Sequence, residues 1–361
     1  MSRSDSIPFC HEILPEVSRT FALTIPQLPT NLKDEVCIAY LLCRVADTIE
    51  DHETLDGRTR TRLFRLLRAL LINPMDRDAW GSFRKLWPGV SHEGEDRLVA
   101  HLPLLLQSFL ALPSRTRTYI RNCVGEMLFG MARYGRRGTI DDPQFVCRDL
   151  DQLENYCHYV AATVGGLLTR LFHQVFTVEA GGVTSGGRPE HDGPSSEILE
   201  RGRRFGLALQ MTNVLKDHRR DLERGLSFLP PEALRRENGE WRIAPAELRA
   251  FLSRALGHLD EAQRFVLWVP AAQRGIRLFC LWALHLALRT LLLAARPETA
   301  KFPKVSRIEL AQIIARAEAA VCDDAALERL YQSYRADLSA LVEQLGVGDA
   351  VAAQIQPSAS R

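Results

Sequence analysis

Two sets of oxygen-bearing side chains stand out in the 361-residue sequence. The first closes the apolar stretch VCIAYLLCRVADTIED, where Asp47, Glu50 and Asp51 fall at i, i+3 and i+4 and so share one face of a helix. Carried back one and two turns, that stripe reaches Arg44 and Tyr40, and most of the remaining positions are apolar. The second set is Gln210, Asn213, Asp217 and Asp221, whose steps of three, four and four again make one stripe. Around it lie Phe205, Leu207, Leu209, Met211, Val214 and Leu215.

Carboxylates gathered beside apolar surface repel one another unless a cation lies between them. Either stripe alone also fits a helix end with solvated acids; two such stripes favour a metal site. If the two helices face each other, their carboxylates define a pocket for hard divalent cations. Mg2+ takes oxygen ligands, keeps several waters and completes its shell with substrate phosphate oxygens. That chemistry suits ionisation of an allylic diphosphate. The cations take up charge as pyrophosphate leaves, and apolar walls keep water from the carbocation. His158 and His218 have no His or Cys partner at zinc spacing and are expected to be structural. No GxxxxGK[ST] and no strand-borne GxGxxG occurs; Gly165-Gly166 sits in helical context and predicts close helix packing.

Helices must position these groups. The acidic helix begins near Asn31, read as its N-cap, and runs through DTIED. Leu55 to Leu71 alternates arginine and leucine, a basic amphipathic helix. Its arginine stems are expected to cover the core from a solvated face; contact with an acidic membrane is the alternative. Further helical patterns cover Asp96 to Leu110, Ser114 to Tyr134, Leu150 to Phe176, Ile198 to Leu222, Pro245 to Val266, Gly275 to Ala295, Arg307 to Val321 and Ala325 to Leu345. No alternating strand pattern of any length is visible, and the expected class is all-α. Residues 1–17 are read as an N-terminal arm, 18–345 as one domain, 179–196 as a flexible loop insertion and 346–361 as a tail.

Composition narrows the setting. The chain is 46% hydrophobic and 25% charged, with net charge +2, so it has a large core and no global charge that names a partner. No nucleic-acid partner is expected. The eight cysteines form no CxxC pair, and most sit in apolar helical pattern, which points to a reducing, cytoplasmic setting. The N-terminus lacks an apolar signal core. Leu278 to Ala295 is strongly apolar, but His285 and Arg289 interrupt it, so a buried core helix is expected there.

Three segments, SRTFALTIPQLPTNLKDEVCIAYLLCRVADTIED, YCHYVAATVGGLLTRLF and LALQMTNVLKDHRRDLERGLSFLPPE, resemble in that order the signature segments of squalene and phytoene synthases. The middle one is most similar to the squalene synthase branch. The resemblance is firm over Ser18 to Glu232 and looser to about Arg307. It implies an all-α, single-domain isoprenoid synthase (terpenoid synthase) helical bundle with a central apolar cavity, acting on farnesyl diphosphate with Mg2+ and NADPH. By matching position it implies metal ligands at Asp47, Asp51, Asn213, Asp217 and Asp221, with Glu50 on the first stripe and Gln210 on the second. Ser18, Arg19 and Arg44 match diphosphate contacts. Tyr156 matches a tyrosine that guides the first half-reaction, with Tyr40 near the same pocket. Phe21, Val160, Val164 and Leu168 would wall the prenyl channel, and Phe279 would shield the second cation. Lys304 and Arg307 match only approximately the basic residues implicated in NADPH use.

Two positions depart from the family pattern. Arg220 stands where a glutamate usually precedes the final aspartate, and Leu226 where relatives often have arginine, with Arg224 close by. No counterpart of the C-terminal membrane anchor of eukaryotic squalene synthases is expected, which implies a cytoplasmic form, with peripheral contact at the inner face of the membrane as an option. The implied product is squalene. The alternatives are a dehydrosqualene or phytoene synthase that stops before reduction, and a non-catalytic helical assembly factor. The latter would have eroded its acidic stripes, which here are intact.

Overall fold

A computed structural model describes residues 6–134, 141–179, 193–296 and 303–355, with 178–179 and 347–355 as backbone only. The chain forms two compact units, residues 1–135 with 159–203, and residues 136–158 with 204–361. The expected loop insertion lies mostly outside the described residues.

The first unit begins with α1 (Ser6–Val17), α2 (Phe21–Thr24) and a 3-10 turn (Ile25–Gln27), followed by α3 (Thr30–Asp51), α4 (Gly57–Ile72), α5 (Arg77–Leu86), α6 (Glu93–Ala100), α7 (Leu102–Ala111) and α8 (Ser114–Tyr134). Its core is built around α3, which buries Val36, Ile38, Leu41, Leu42, Val45 and Ile49 against α1, α4, α6, α7, α8 and the later helix α10. A helix apolar on nearly every side is stable only when so enclosed. In the next segment, β1 (Gln144–Phe145) and α9 (Leu150–Cys157) belong to the second unit. A π-helical turn (His158–Ala162) precedes α10 (Thr163–Glu179). Of α11 (Ser196–Glu223), residues 196–203 fall in the first unit and 204–223 in the second.

The second unit continues with β2 (Leu226–Ser227), β3 (Leu234–Glu237), β4 (Glu240–Ile243), α12 (Pro245–Trp268), α13 (Arg274–Ala295), α14 (Arg307–Ala320) and α15 (Asp324–Ile355). Its core helix is α13, which packs against α12, α14 and α15. By length and composition α13 could cross a membrane, yet 72% of its apolar window is buried within the protein, as expected of a core helix.

The all-α expectation holds, with five corrections. Residues 6–17 are a helix, not an arm; burial of Phe9, Ile13, Leu14 and Val17 against the neighbouring helices fixes it. Helix α15 continues through the expected tail boundary to Ile355. The span Asp96 to Leu110 is two helices broken at His101, because Pro103 enters as the second residue of α7 and has no N–H for a continuous ladder. There are also short strands. β1 and β2 pair in parallel over two residues, and β3 and β4 form an antiparallel hairpin. The hairpin turn is Asn238-Gly239, both at positive φ (51° and 84°), the backbone that a two-residue turn between twisted strands requires. Helix α3 also starts two residues early, at Thr30, with Pro29 and not Asn31 as its N-cap and without a side-chain cap.

Candidate functional site

In the first unit the polar stripe of α3 appears as spacing predicts. Tyr40, Arg44, Asp47 and Glu50 are half-buried and Asp51 is exposed, while most of the residues between them are buried. The segment before α3 adds two more expected residues. The Phe21 N–H donates to Ser18 Oγ at 3.0 Å, the Phe21 ring lies 5.0 Å from that of Tyr40, and the Tyr40 hydroxyl donates to the Val17 carbonyl at 3.1 Å. Arg19 is exposed. Burial pushes the Tyr40 phenol up to about 12, against the opposing pull of Ser18 and Arg44.

One participant was not anticipated. Glu95, in the first turn of α6, accepts from Arg44 Nη2, and the Thr48 hydroxyl lies 3.5 Å from its second oxygen. Arg44 Nη1 is 3.9 Å from Asp47 Oδ2. A single guanidinium therefore serves two carboxylates, with Asp51 close enough to be felt. Asp47 records the imbalance: burial pushes its carboxyl up to about 7, Arg44 opposes, and the charges of Asp51 and Glu95 add to the rise. In sequence Glu95 resembles any acid in a first turn, and nothing local marks it.

In the second unit the α11 stripe grades from open to enclosed. Asn213 is exposed, Gln210 and Asp217 are half-buried, and Asp221 is buried. Lys216 Nζ is 2.7 Å from Asp217, and Arg224 Nη1 is 3.8 Å from Asp221. Arg220 is exposed, and Leu226 is half-buried in its pairing with Gln144. His218 donates from Nδ1 to the Leu215 carbonyl at 2.6 Å, a structural bond; desolvation holds its pKa below the usual value. Tyr156 is buried with its ring stacked on Phe228, centroids 4.5 Å apart. Phe279 is buried in α13.

Of the residues expected to wall a prenyl channel, Val160 is buried in the π-helical turn, and Val164 and Leu168 are half-buried on α10. Such turns shift register by one residue and recur at functional sites. Close packing holds for Gly165 alone. A Cβ there would lie 1.9 Å from the Gly202 carbonyl oxygen, whereas one on Gly166 would meet only side-chain atoms, at 3.5 Å and beyond. Gly165→Ala is therefore expected to cost about 2–3 kcal/mol by forcing helix backbones apart. Gly166→Ala should be neutral or better, since alanine favours a helix by roughly 1 kcal/mol over glycine. Urea unfolding of the two variants checks the contrast.

Among the described residues no three His, Cys, Asp or Glu side chains are grouped to hold a metal ion by themselves. The donor set still fits Mg2+, which is commonly held by one or two carboxylates with phosphate and water completing the shell. The crowding at Asp47 is the charge pattern a cation would relieve. Lys304 and Arg307 are both exposed beside the capping box that opens α14, and so are accessible to a phosphate-bearing cofactor.

A family profile described as Squalene/phytoene synthase matches residues 14–313. The squalene synthase of Dictyostelium discoideum is 30% identical over 222 residues, 62% of this chain and 46% of its own length. That of Homo sapiens is 29% identical over 233 residues, 64% and 48% respectively. Squalene synthase BSS of Botryococcus braunii is 34% identical over 216 residues, 59% and 40%. The chain thus spans about half the length of these curated relatives or less. Among solved structures, the complex of TcSQS with ligand BPH1237 has a TM-score of 0.71 at 23% identity, covering 94% of this chain and 96% of that one. A dehydrosqualene synthase in complex with ligand has a TM-score of 0.59 at 19% identity, covering 88% and 97%. At these identities the likeness establishes the fold, and the sequence match establishes descent: the chain belongs to the squalene/phytoene synthase family.

Proposed function

We propose that the chain is a squalene synthase. It condenses two farnesyl diphosphates head to head (1'-1) to presqualene diphosphate with Mg2+, then rearranges and reduces that intermediate to squalene with NADPH. The observation that carries this is the Asp47 site, where Asp47 feels the charges of Glu95 and Asp51 and one arginine, Arg44, pairs with Asp47 and Glu95, beside Ser18 and Tyr40. In this reading residues 18–345 act as one catalytic domain.

Asp47, Glu50 and Asp51 from α3, with Asn213, Asp217 and Asp221 from α11, would hold Mg2+. Bound there, the metal supplies positive charge to the departing pyrophosphate. Ser18, Arg19, Arg44 and Gln210 orient the diphosphate, with Glu95 fixing the guanidinium of Arg44. Phe21, Val160, Val164 and Leu168 exclude water from the prenyl chain. The hydroxyl of Tyr156, its ring held by Phe228, handles the proton of the first half-reaction. Phe279 presents an aromatic face to the second cation. Lys304 and Arg307 bind the phosphates of NADPH, which supplies hydride when bound.

The test is to incubate the protein with farnesyl diphosphate and Mg2+, with and without NADPH, and analyse the hydrocarbons. Squalene formed only with NADPH is the expected result. A product unchanged by NADPH overturns the reductive step and favours a dehydrosqualene synthase, a reading also compatible with the shared fold. No pyrophosphate release from any prenyl diphosphate overturns catalysis and leaves the assembly-factor reading.

A further inference from the structure

The hairpin of α4 and α5, in the first unit, takes no part in the proposed catalysis. Helix α4 carries five arginines and no acidic residue. One of them, Arg60, is buried and spent on the carbonyls of His52 and Leu55, at 3.4 and 3.0 Å. Arg62, Arg65 and Arg68 are exposed, and among the described residues none of the three has an ion-pair partner. At helical spacing, Arg58, Arg62, Arg65, Ala69 and Ile72 follow one line along the outer face. That line ends in apolar surface: Ile72 is 62% exposed, and Met75 in the following turn is 65% exposed.

The surroundings keep this tip cationic. The guanidinium of Arg121 on α8 donates to the Leu71 carbonyl at 3.1 Å. Arg77, Arg84 and Lys85 are exposed at i, i+7 and i+8 on α5, and Trp80 is half-buried between them in sequence. Of the nearby acids, Asp56 and Asp76 are engaged as N-caps of α4 and α5, and Asp78 is exposed.

An ordinary solvated helix has no use for two large apolar side chains at its tip, and uncompensated cations in line are costly to keep together. Nucleic acid would engage the arginines but leave Ile72 and Met75 without a role. An anionic bilayer takes both, with guanidinium groups over the phosphates and apolar side chains at the headgroup–acyl boundary. We propose that the α4–α5 hairpin is a docking surface for an anionic lipid membrane, contacted through Arg62, Arg65, Arg68, Ile72 and Met75.

Co-sedimentation of the full chain with vesicles tests this by partition, independently of turnover. Vesicles of phosphatidylcholine mixed with phosphatidylglycerol should bind it in a salt-sensitive manner, and pure phosphatidylcholine vesicles should bind it poorly. The triple variant R62Q/R65Q/R68Q is expected to bind the anionic vesicles on the order of a hundredfold more weakly, from roughly a factor of five per charge. Ile72→Ser with Met75→Ser should weaken binding roughly tenfold while leaving the salt dependence in place. All five side chains are exposed, so circular dichroism should be unchanged. Equal binding by wild type and the triple variant overturns the proposal. So does wild type that stays in the supernatant, or a preference for duplex DNA over anionic vesicles that the arginine substitutions abolish.

Discussion

Asp47→Asn is expected to lower pyrophosphate release by at least about a thousandfold, and Asp217→Asn by a similar factor. The amide keeps the shape of the carboxylate and removes its charge, so under the proposed function the loss would fall on metal binding and not on packing. In the proposed reaction both half-reactions begin with ionisation of a diphosphate, so neither presqualene diphosphate nor hydrocarbon should accumulate. Rapid-quench measurement of pyrophosphate, with Mg2+ varied over a wide range, checks this. Stability should move the other way at Asp47. Its folded-state pKa is raised to about 7 from an ordinary value of 3.8, chiefly by desolvation. A carboxyl raised in the folded state is costly to ionise there, so it withdraws stability as pH climbs from about 4 through 7. Asp47→Asn should therefore be at least as stable as wild type at pH 8 in metal-free buffer. A variant that is inactive yet no less stable would mark a charge kept for function at the expense of the fold.

Arg277→Met is expected to destabilise the protein by about 3 kcal/mol, the largest effect anticipated for one side chain in the second unit. Arg277 is 1% exposed. It donates from Nε to the Val269 carbonyl at 2.8 Å and from Nη1 to the Val321 carbonyl at 3.0 Å, with Nη2 2.7 Å from Asp324. These contacts tie the end of α12, the end of α14 and the start of α15 to the core helix. Methionine fills much of the stem volume but leaves two carbonyls that had accepted from a charged donor. Asp324 is 64% exposed and recovers solvation when its partner is lost. Asp324→Asn alone should accordingly cost less than about 1 kcal/mol. Paired urea titrations separate the two contributions, and equal losses in both variants would shift the weight to the ion pair.

Much of the candidate site was legible because helical spacing is a local property. Whichever way α3 packs, Tyr40, Arg44, Asp47 and Glu50 share a face, and the half-buried stripe found there is the one the spacing predicts. The same holds for Gln210, Asn213, Asp217 and Asp221 on α11. Local chemistry also announced the β3–β4 hairpin through Asn238-Gly239, but of the strands beside it LRRE lacks alternation and EWRI alternates over four residues only, too short a run to draw notice. A break before Pro103 was equally present in the sequence, hidden by an apolar run that satisfied the helical period on both sides.

What the sequence determined by itself is which side chains share a face, since that depends only on 3.6 residues per turn and on where the apolar positions fall. Tertiary structure alone decided what those side chains meet. Glu95 reaches Arg44 across 51 residues and Phe228 stacks on Tyr156 from 72 positions away, with no spacing rule linking either pair. The charge state of Asp47 belongs to the same class, because desolvation and opposing charge are set by neighbours that only packing brings near. Burial decided the case of α13 as well: its composition suits a membrane, and the three helices packed around it make it a core.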